Sequence, residues 1–154
     1  MNPSEKRPHP LEKSTFRWVH AEDNDDYAFL IQRALRKAGF SQAPERCING
    51  ERAILHLSSL PPDTLPDAIL LDLHMPVQDG FDVLDWVRKN DRFHDIPVLM
   101  LTTSEASGER QRAQSLGVTQ FLFKDGIYHK VAEVLETLIA ETHLRHALTS
   151  FKAA

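Results

Sequence analysis

The sequence is poor in several things, and each shortage excludes a class. Cysteine occurs once in 154 residues, at Cys47. No intrachain disulfide can therefore staple the fold, and a reducing compartment suits the chain. No Lys/Arg run is present, and the formal net charge is −4. The basic footprint of a nucleic-acid binder is missing. No apolar stretch approaches the roughly 20 residues that a membrane-spanning helix needs. The first residues, MNPSEKRPHPLEKS, carry charges and three prolines in place of an apolar segment, unlike a secretory signal peptide. There is no internal repeat and no low-complexity tract. The expectation is a cytoplasmic chain with neither nucleic acid nor membrane as partner.

What is present suits one globular domain: 42% hydrophobic and 26% charged residues, in a chain long enough to bury a core. Residues 1–14 read as a disordered tail, being polar and proline-rich. TFRWVHA (15–21) reads as a strand. Tyr27, Ile31, Ala34 and Ala38 then recur at helical spacing up to Gly39. PERCI (44–48) is a short strand, and Ala53, Ile54 and Leu57 mark a helix that stops before Pro61-Pro62. DAILLD (67–72) and IPVLMLT (96–102) are near-continuous apolar runs, as expected of strands covered on both faces. Gly80, Val83, Leu84 and Val87 mark the helix between them. A helix poor in apolar residues spans about 105–116 and Gly117 closes it. VTQFLF (118–123) is the last strand, and a helix from about 127 carries Val131, Val134, Leu135 and Leu138.

Five strands alternating with five helices predict an α/β fold, a doubly wound parallel sheet with helices on both faces. Ligands in that class sit at the carboxyl ends of the strands. The first strand ends in Glu22-Asp23, the third in Asp72, the fourth in Thr102 and the fifth in Lys124. With the strand order 2-1-3-4-5, three carboxylates, a hydroxyl and an ammonium converge in one crevice. Three carboxylates repel one another unless a cation sits among them. Oxygen ligands of this kind suit Mg²⁺. A carboxylate in that setting can attack a phosphoryl group, and a lysine can stabilise the charge on the transferring oxygens. Each residue alone has a plainer reading. Asp72 could cap a helix, Glu22-Asp23 could be a solvated loop, and Thr102 and Lys124 could be ordinary strand-end residues. Their occurrence at successive strand ends of one α/β pattern favours a common site.

These stretches together resemble a response-regulator receiver domain over about 15–140. HAEDNDD is similar to the family's acidic pocket, and LLDLHMPVQDGFDVL to its phosphoacceptor strand and loop. IPVLMLTTS is similar to its fourth strand with the switch threonine, and FLFK to its fifth strand with the lysine. The intervals from Asp72 to Thr102 and from Thr102 to Lys124 match the family's usual spacing. The resemblance implies a flavodoxin-like five-stranded sheet and a phosphoryl group accepted by Asp72 from a histidine kinase or phosphotransfer protein. It implies Mg²⁺ held by Asp23 and Asp72, by Glu22 through water, and by the backbone carbonyl of His74. Thr102 and Lys124 would bind the phosphoryl group. Phe121 takes the aromatic switch position, drawn into space opened by movement of Thr102. EDNDDYAFLIQRAL and LTTS look most like stand-alone receivers partnered with phytochrome-type kinases. Two positions depart from the family. Asp125-Gly126 follows Lys124 where the family usually has proline, so the lysine loop is expected to take another path. His20 replaces the usual aliphatic residue and reads as a core or edge histidine with a satisfied ring.

Residues 141–154 read as an extension of the last helix, with no catalytic or DNA-binding domain after it. Leu144, Leu148 and Phe151 form a stripe there that invites a homodimer or partner contact through the last helix and fifth strand. Other readings are a receiver fold that no longer phosphorylates and only binds partners, an aspartate-dependent phosphohydrolase, and a flavodoxin-like electron carrier. The phosphohydrolase usually has a second acid two residues after the nucleophile, where this chain has His74. The electron carrier needs a phosphate-cradling loop after the first strand, where this chain has EDNDD.

Overall fold

The computed structural model describes residues 11–104, 106–126 and 130–141. Five strands, β1 (Trp18–Ala21), β2 (Glu45–Cys47), β3 (Ala68–Asp72), β4 (Val98–Thr102) and β5 (Gln120–Phe123), form one parallel sheet in the order β2-β1-β3-β4-β5. This is the order 2-1-3-4-5 expected for a flavodoxin-like sheet. Every residue of β3 and β4 is buried, which is why both read as unbroken apolar runs. β1 begins three residues later than the sequence suggests. Upstream, Thr15 N donates to Glu12 O in a turn, and Arg17 N donates to the Asp67 carboxylate at 2.7 Å rather than to a neighbouring strand.

The helices are α1 (Asp25–Lys37), α2 (Gly50–Ser59), α3 (Gly80–Lys89), α4 (Ser107–Ser115) and α5 (130–141). Alternating β1 residues divide the core. Val19 and Ala21 pack with Ala53 and Leu57 of α2, Leu84 and Val87 of α3 and Ala113 of α4. Trp18 packs on the other face with Ile31 and Leu35 of α1 and Val131 and Leu135 of α5. Asn24 caps α1 by accepting from Tyr27 N at 3.0 Å. Asp25 and Asp26 in its first turn, with Arg36 and Lys37 in its last, complement the helix dipole. Asp79 and Asp82 close a reciprocal capping box on α3. α4 has no side-chain cap and buries only Ala113, so few contacts hold it. Residues 11–14 correct the expectation of a disordered tail. Leu11 packs on the α1/α5 side of the core, and the Lys13 ammonium donates to Ala38 O at 2.8 Å. No helix among the described residues is long and apolar enough to cross a membrane.

The loop after β3 is clamped from two sides. A Cβ on Gly80 would lie 2.7 Å from Asp72 O, and one on Gly50 only 2.2 Å from Gln78 O. Both positions exclude any larger residue. Within the loop Val77 has φ +72° and is 71% exposed. A β-branched side chain in the left-handed region is strained, at a cost of about 1–3 kcal/mol, and no burial offsets it. Val77→Asn is expected to raise the unfolding free energy by about 1 kcal/mol, because asparagine tolerates this conformation. Urea denaturation measures it; an unchanged or lowered midpoint contradicts the strain.

Candidate functional site

The sheet order brings the ends of β1 and β3 side by side, with Ala21 opposite Leu71. Glu22, Asp23 and Asp72 therefore meet, each offering a carboxylate oxygen within 4.8 Å of the others. Asp72 is 5% exposed and Glu22 fully buried, whereas Asp23 is open to solvent. Lys124 enters from the end of β5. Its Nζ lies 3.1 Å from Asp72 Oδ1 and donates to Glu22 Oε1 and Oε2 at 2.9 and 3.1 Å. The lysine thus reaches Asp72 with Asp125 in the usual proline position. Its backbone N donates to Thr102 O at 2.7 Å, which fixes the strand end. Gly126 has φ +70°, and a Cβ there would meet nothing within 4 Å.

If all three carboxylates are ionised, one ammonium leaves the group two charges short of neutrality. Burial is the main force raising the Glu22 carboxyl to about 7; the Asp72 and Asp23 charges add to it, and the Lys124 hydrogen bond opposes it. Asp72 is also raised, by burial first and by Asp23, with Lys124 again opposing. For Lys124 burial pulls downward, but the hydrogen bond to Glu22 and the Asp72 charge outweigh it and hold the ammonium above its ordinary value. Oxygen donors with excess negative charge, one side open to water, suit a hard divalent cation such as Mg²⁺.

Thr102 is fully buried at the end of β4. Its hydroxyl oxygen accepts from Ser104 N at 3.0 Å. His74, two residues after Asp72, turns its ring outward to Glu109 of α4, with Nε2 3.1 Å from Oε1. Phe121, at the expected switch position, has its ring turned inward. It is already buried in the core on the α3/α4 side. Arg110 of α4 lies 5.3 Å from its centroid, and Phe123 meets it edge-on at 6.3 Å. Leu144, Leu148 and Phe151 lie outside the described residues.

His20 also departs from its reading. It is 1% exposed, and neither ring nitrogen has a hydrogen-bond partner among the described residues. The satisfied ring expected from the sequence is not found: β1 turns this side chain toward α1, into a cleft shared with Ala28, Phe29 and Arg46. Burial first, then the charges of Lys124 and Arg46, lower its pKa to about 3, so the imidazole stays neutral.

Two neighbours of the site had only weak signals in the sequence. Arg46, exposed on the short edge strand β2, folds its guanidinium back onto the Glu22 carbonyl at 3.0 and 3.1 Å and onto Asp25. Tyr27, whose place in the α1 periodicity suggests simple packing, lays its ring 4.1 Å from Lys124 Nζ.

The chain matches the family model described as response regulator receiver domain over residues 19–136. It is 34% identical to the probable methanogenesis regulatory protein FilR2 of Methanothrix harundinacea, over 76% of this chain and 77% of that one. It spans about half the length, or less, of several longer relatives. The phosphorylated cyanobacterial phytochrome response regulator RcpA superposes with a TM-score of 0.73 at 25% identity, over 82% of this chain and 95% of that one. The Mn²⁺-bound response regulator Rcp1 gives 0.65 at 26%, over 77% and 91%. Strand order, acidic crevice and sequence match agree, and the chain belongs to the receiver-domain family of two-component response regulators.

Proposed function

We propose that Asp72 accepts a phosphoryl group from the phosphohistidine of a histidine kinase or phosphotransfer protein, and that the chain relays this state to a partner. The observation that carries this reading is the placement of Asp72: a nearly buried carboxylate at a strand end, beside two further carboxylates and 3.1 Å from a lysine ammonium. Burying such a charge is costly without a use for it. The carboxylate attacks phosphorus, an O–P bond forms, and the N–P bond to the donor imidazole breaks. Lys124 moves from carboxylate to phosphoryl oxygen, and the Thr102 hydroxyl, 3.0 Å from Ser104 N before transfer, donates to another. The apolar β3 holds the nucleophile in place.

Asp23 and Asp72 would hold Mg²⁺ directly, with the His74 carbonyl, and Glu22 would act through water. Bound there, the ion supplies the positive charge that the carboxylates and phosphoryl oxygens lack. The likeness to the phytochrome response regulator RcpA favours a phytochrome-type kinase as donor. Catalysis is confined to the chain's own phosphorylation and dephosphorylation, in the cytoplasm. The contact face comprises α4, β5 and the last helix, and it also serves any homodimer.

Acetyl phosphate with Mg²⁺ is expected to add the mass of one phosphoryl group to the intact chain. Chelating the metal with EDTA, or Asp72→Asn, abolishes the gain. Equal uptake in EDTA, or in Asp72→Asn, overturns the assignment. No uptake under any condition favours a receiver fold that only binds partners.

A further inference from the structure

We infer that Tyr27 is a positioning residue for Lys124, holding the ammonium over its ring so that it can pass between carboxylate and phosphoryl oxygen. The inference rests on the reading of Asp72 as phosphoacceptor and adds a residue to it. Three observations on the chain converge. Lys124 is buried, and its Nζ is 4.1 Å from the centroid of the Tyr27 ring. Tyr27 sits in the first turn of α1, directly after the acidic loop, and its backbone is held there by the bond from Tyr27 N to the Asn24 side chain. Asp125 and Gly126 are exposed, and a Cβ at Gly126 would meet nothing within 4 Å. The backbone at Lys124 itself is tied to β4 by the bond from Lys124 N to Thr102 O.

The side chain is then steered by what surrounds its ammonium: two carboxylates and one aromatic face. The carboxylates bind it in the resting state and compete with the phosphoryl group for it. An aromatic face attracts a cation over a broad area without fixing one hydrogen-bond direction, and it does so best where water is excluded. Tyr27 therefore keeps the ammonium in the crevice while its hydrogen bonds to Glu22 and Asp72 are exchanged for one to phosphate. A purely carboxylate-held lysine would stay with the carboxylates.

The test replaces position 27 by phenylalanine, by leucine and by phenylalanines carrying increasing ring fluorination, which weakens the negative face at nearly constant shape. The rate of mass gain with acetyl phosphate and Mg²⁺ is read. Tyr27→Phe is expected to stay within about twofold of the native chain, while Tyr27→Leu falls about fivefold to tenfold. Rates should fall stepwise with each added fluorine, a trend that simple space filling would not produce. A flat fluorine series, or leucine equal to phenylalanine, overturns the inference while leaving phosphorylation of Asp72 intact. A second readout is independent of phosphate chemistry. The Lys124 side-chain proton resonances next to Nζ should be shifted upfield by the ring in the native chain and lose that shift in Tyr27→Leu. Identical resonances in the two proteins overturn it, whether or not Asp72 takes up phosphate.

Discussion

Lys124→Met should cost the metal-free chain about 3 kcal/mol at pH 8, because it leaves the fully buried Glu22 and the nearly buried Asp72 without their cation. The sign of the pH dependence follows from their raised pKa values. A carboxyl whose folded value lies above its unfolded one favours the fold below the unfolded value and loses that contribution as pH rises through the folded value. For Glu22 the window runs from the ordinary value of 4.5 to about 7. Removing Lys124 takes away a downward influence and extends the window upward. The variant should therefore lose stability more steeply than the native chain between pH 5 and pH 8, and the two should converge in acid. Mg²⁺ should restore part of the loss at pH 8. Adding Glu22→Gln to Lys124→Met should recover part of it without metal, since the buried charge is gone. Urea titrations at the two pH values measure all of this. A small loss that does not vary with pH would mean that the ammonium contributes little to holding the acidic cluster.

His20→Val should act in the opposite direction. Two unpartnered ring nitrogens in the core each carry a desolvation penalty of about 1–3 kcal/mol, and valine suits a central strand. A gain of about 2 kcal/mol is expected at pH 7.5. The gain should grow in acid. The imidazole of the unfolded chain takes up a proton below about 6.5, whereas the folded one resists until about 3. A group with a depressed folded value contributes stability above the unfolded value and loses it as pH falls through this window. Valine has no such loss, so at pH 5 its advantage should be larger by about 2 kcal/mol. Loss of stability at both pH values would show that a water in the adjoining cleft of about 150 Å³ pairs the ring after all.

The two histidines show why some features were legible in the sequence and others were not. Strand order and the strand-end acids could be read because buried parallel strands leave long apolar runs, and Asp72 and Thr102 stand where β3 and β4 end. The direction of a polar side chain leaves no such pattern. His20 falls on the face that β1 turns to α1, and His74 faces Glu109 of α4; neither partner, nor the lack of one, is encoded locally. Phe121 could be assigned to its position but not to its rotamer, which depends on Arg110 and Phe123 around it. The limits of α4 were blurred because a helix with a single buried residue has almost no periodicity. Tyr27 was visible only as one apolar position among four in α1. Its meeting with Lys124 depends on a crossing from β5 to the start of α1 that spacing along the chain cannot convey.

Asp72 as the acceptor of phosphate is tested most directly by marking the acyl phosphate in place. Borohydride reduces an aspartyl phosphate to homoserine, a permanent change that peptide mass spectrometry assigns to one residue. After acetyl phosphate and Mg²⁺, homoserine is expected at position 72 alone and nowhere in the EDTA control. Homoserine at position 23, or phosphate recovered on a histidine or serine with Asp72 unchanged, would contradict the account.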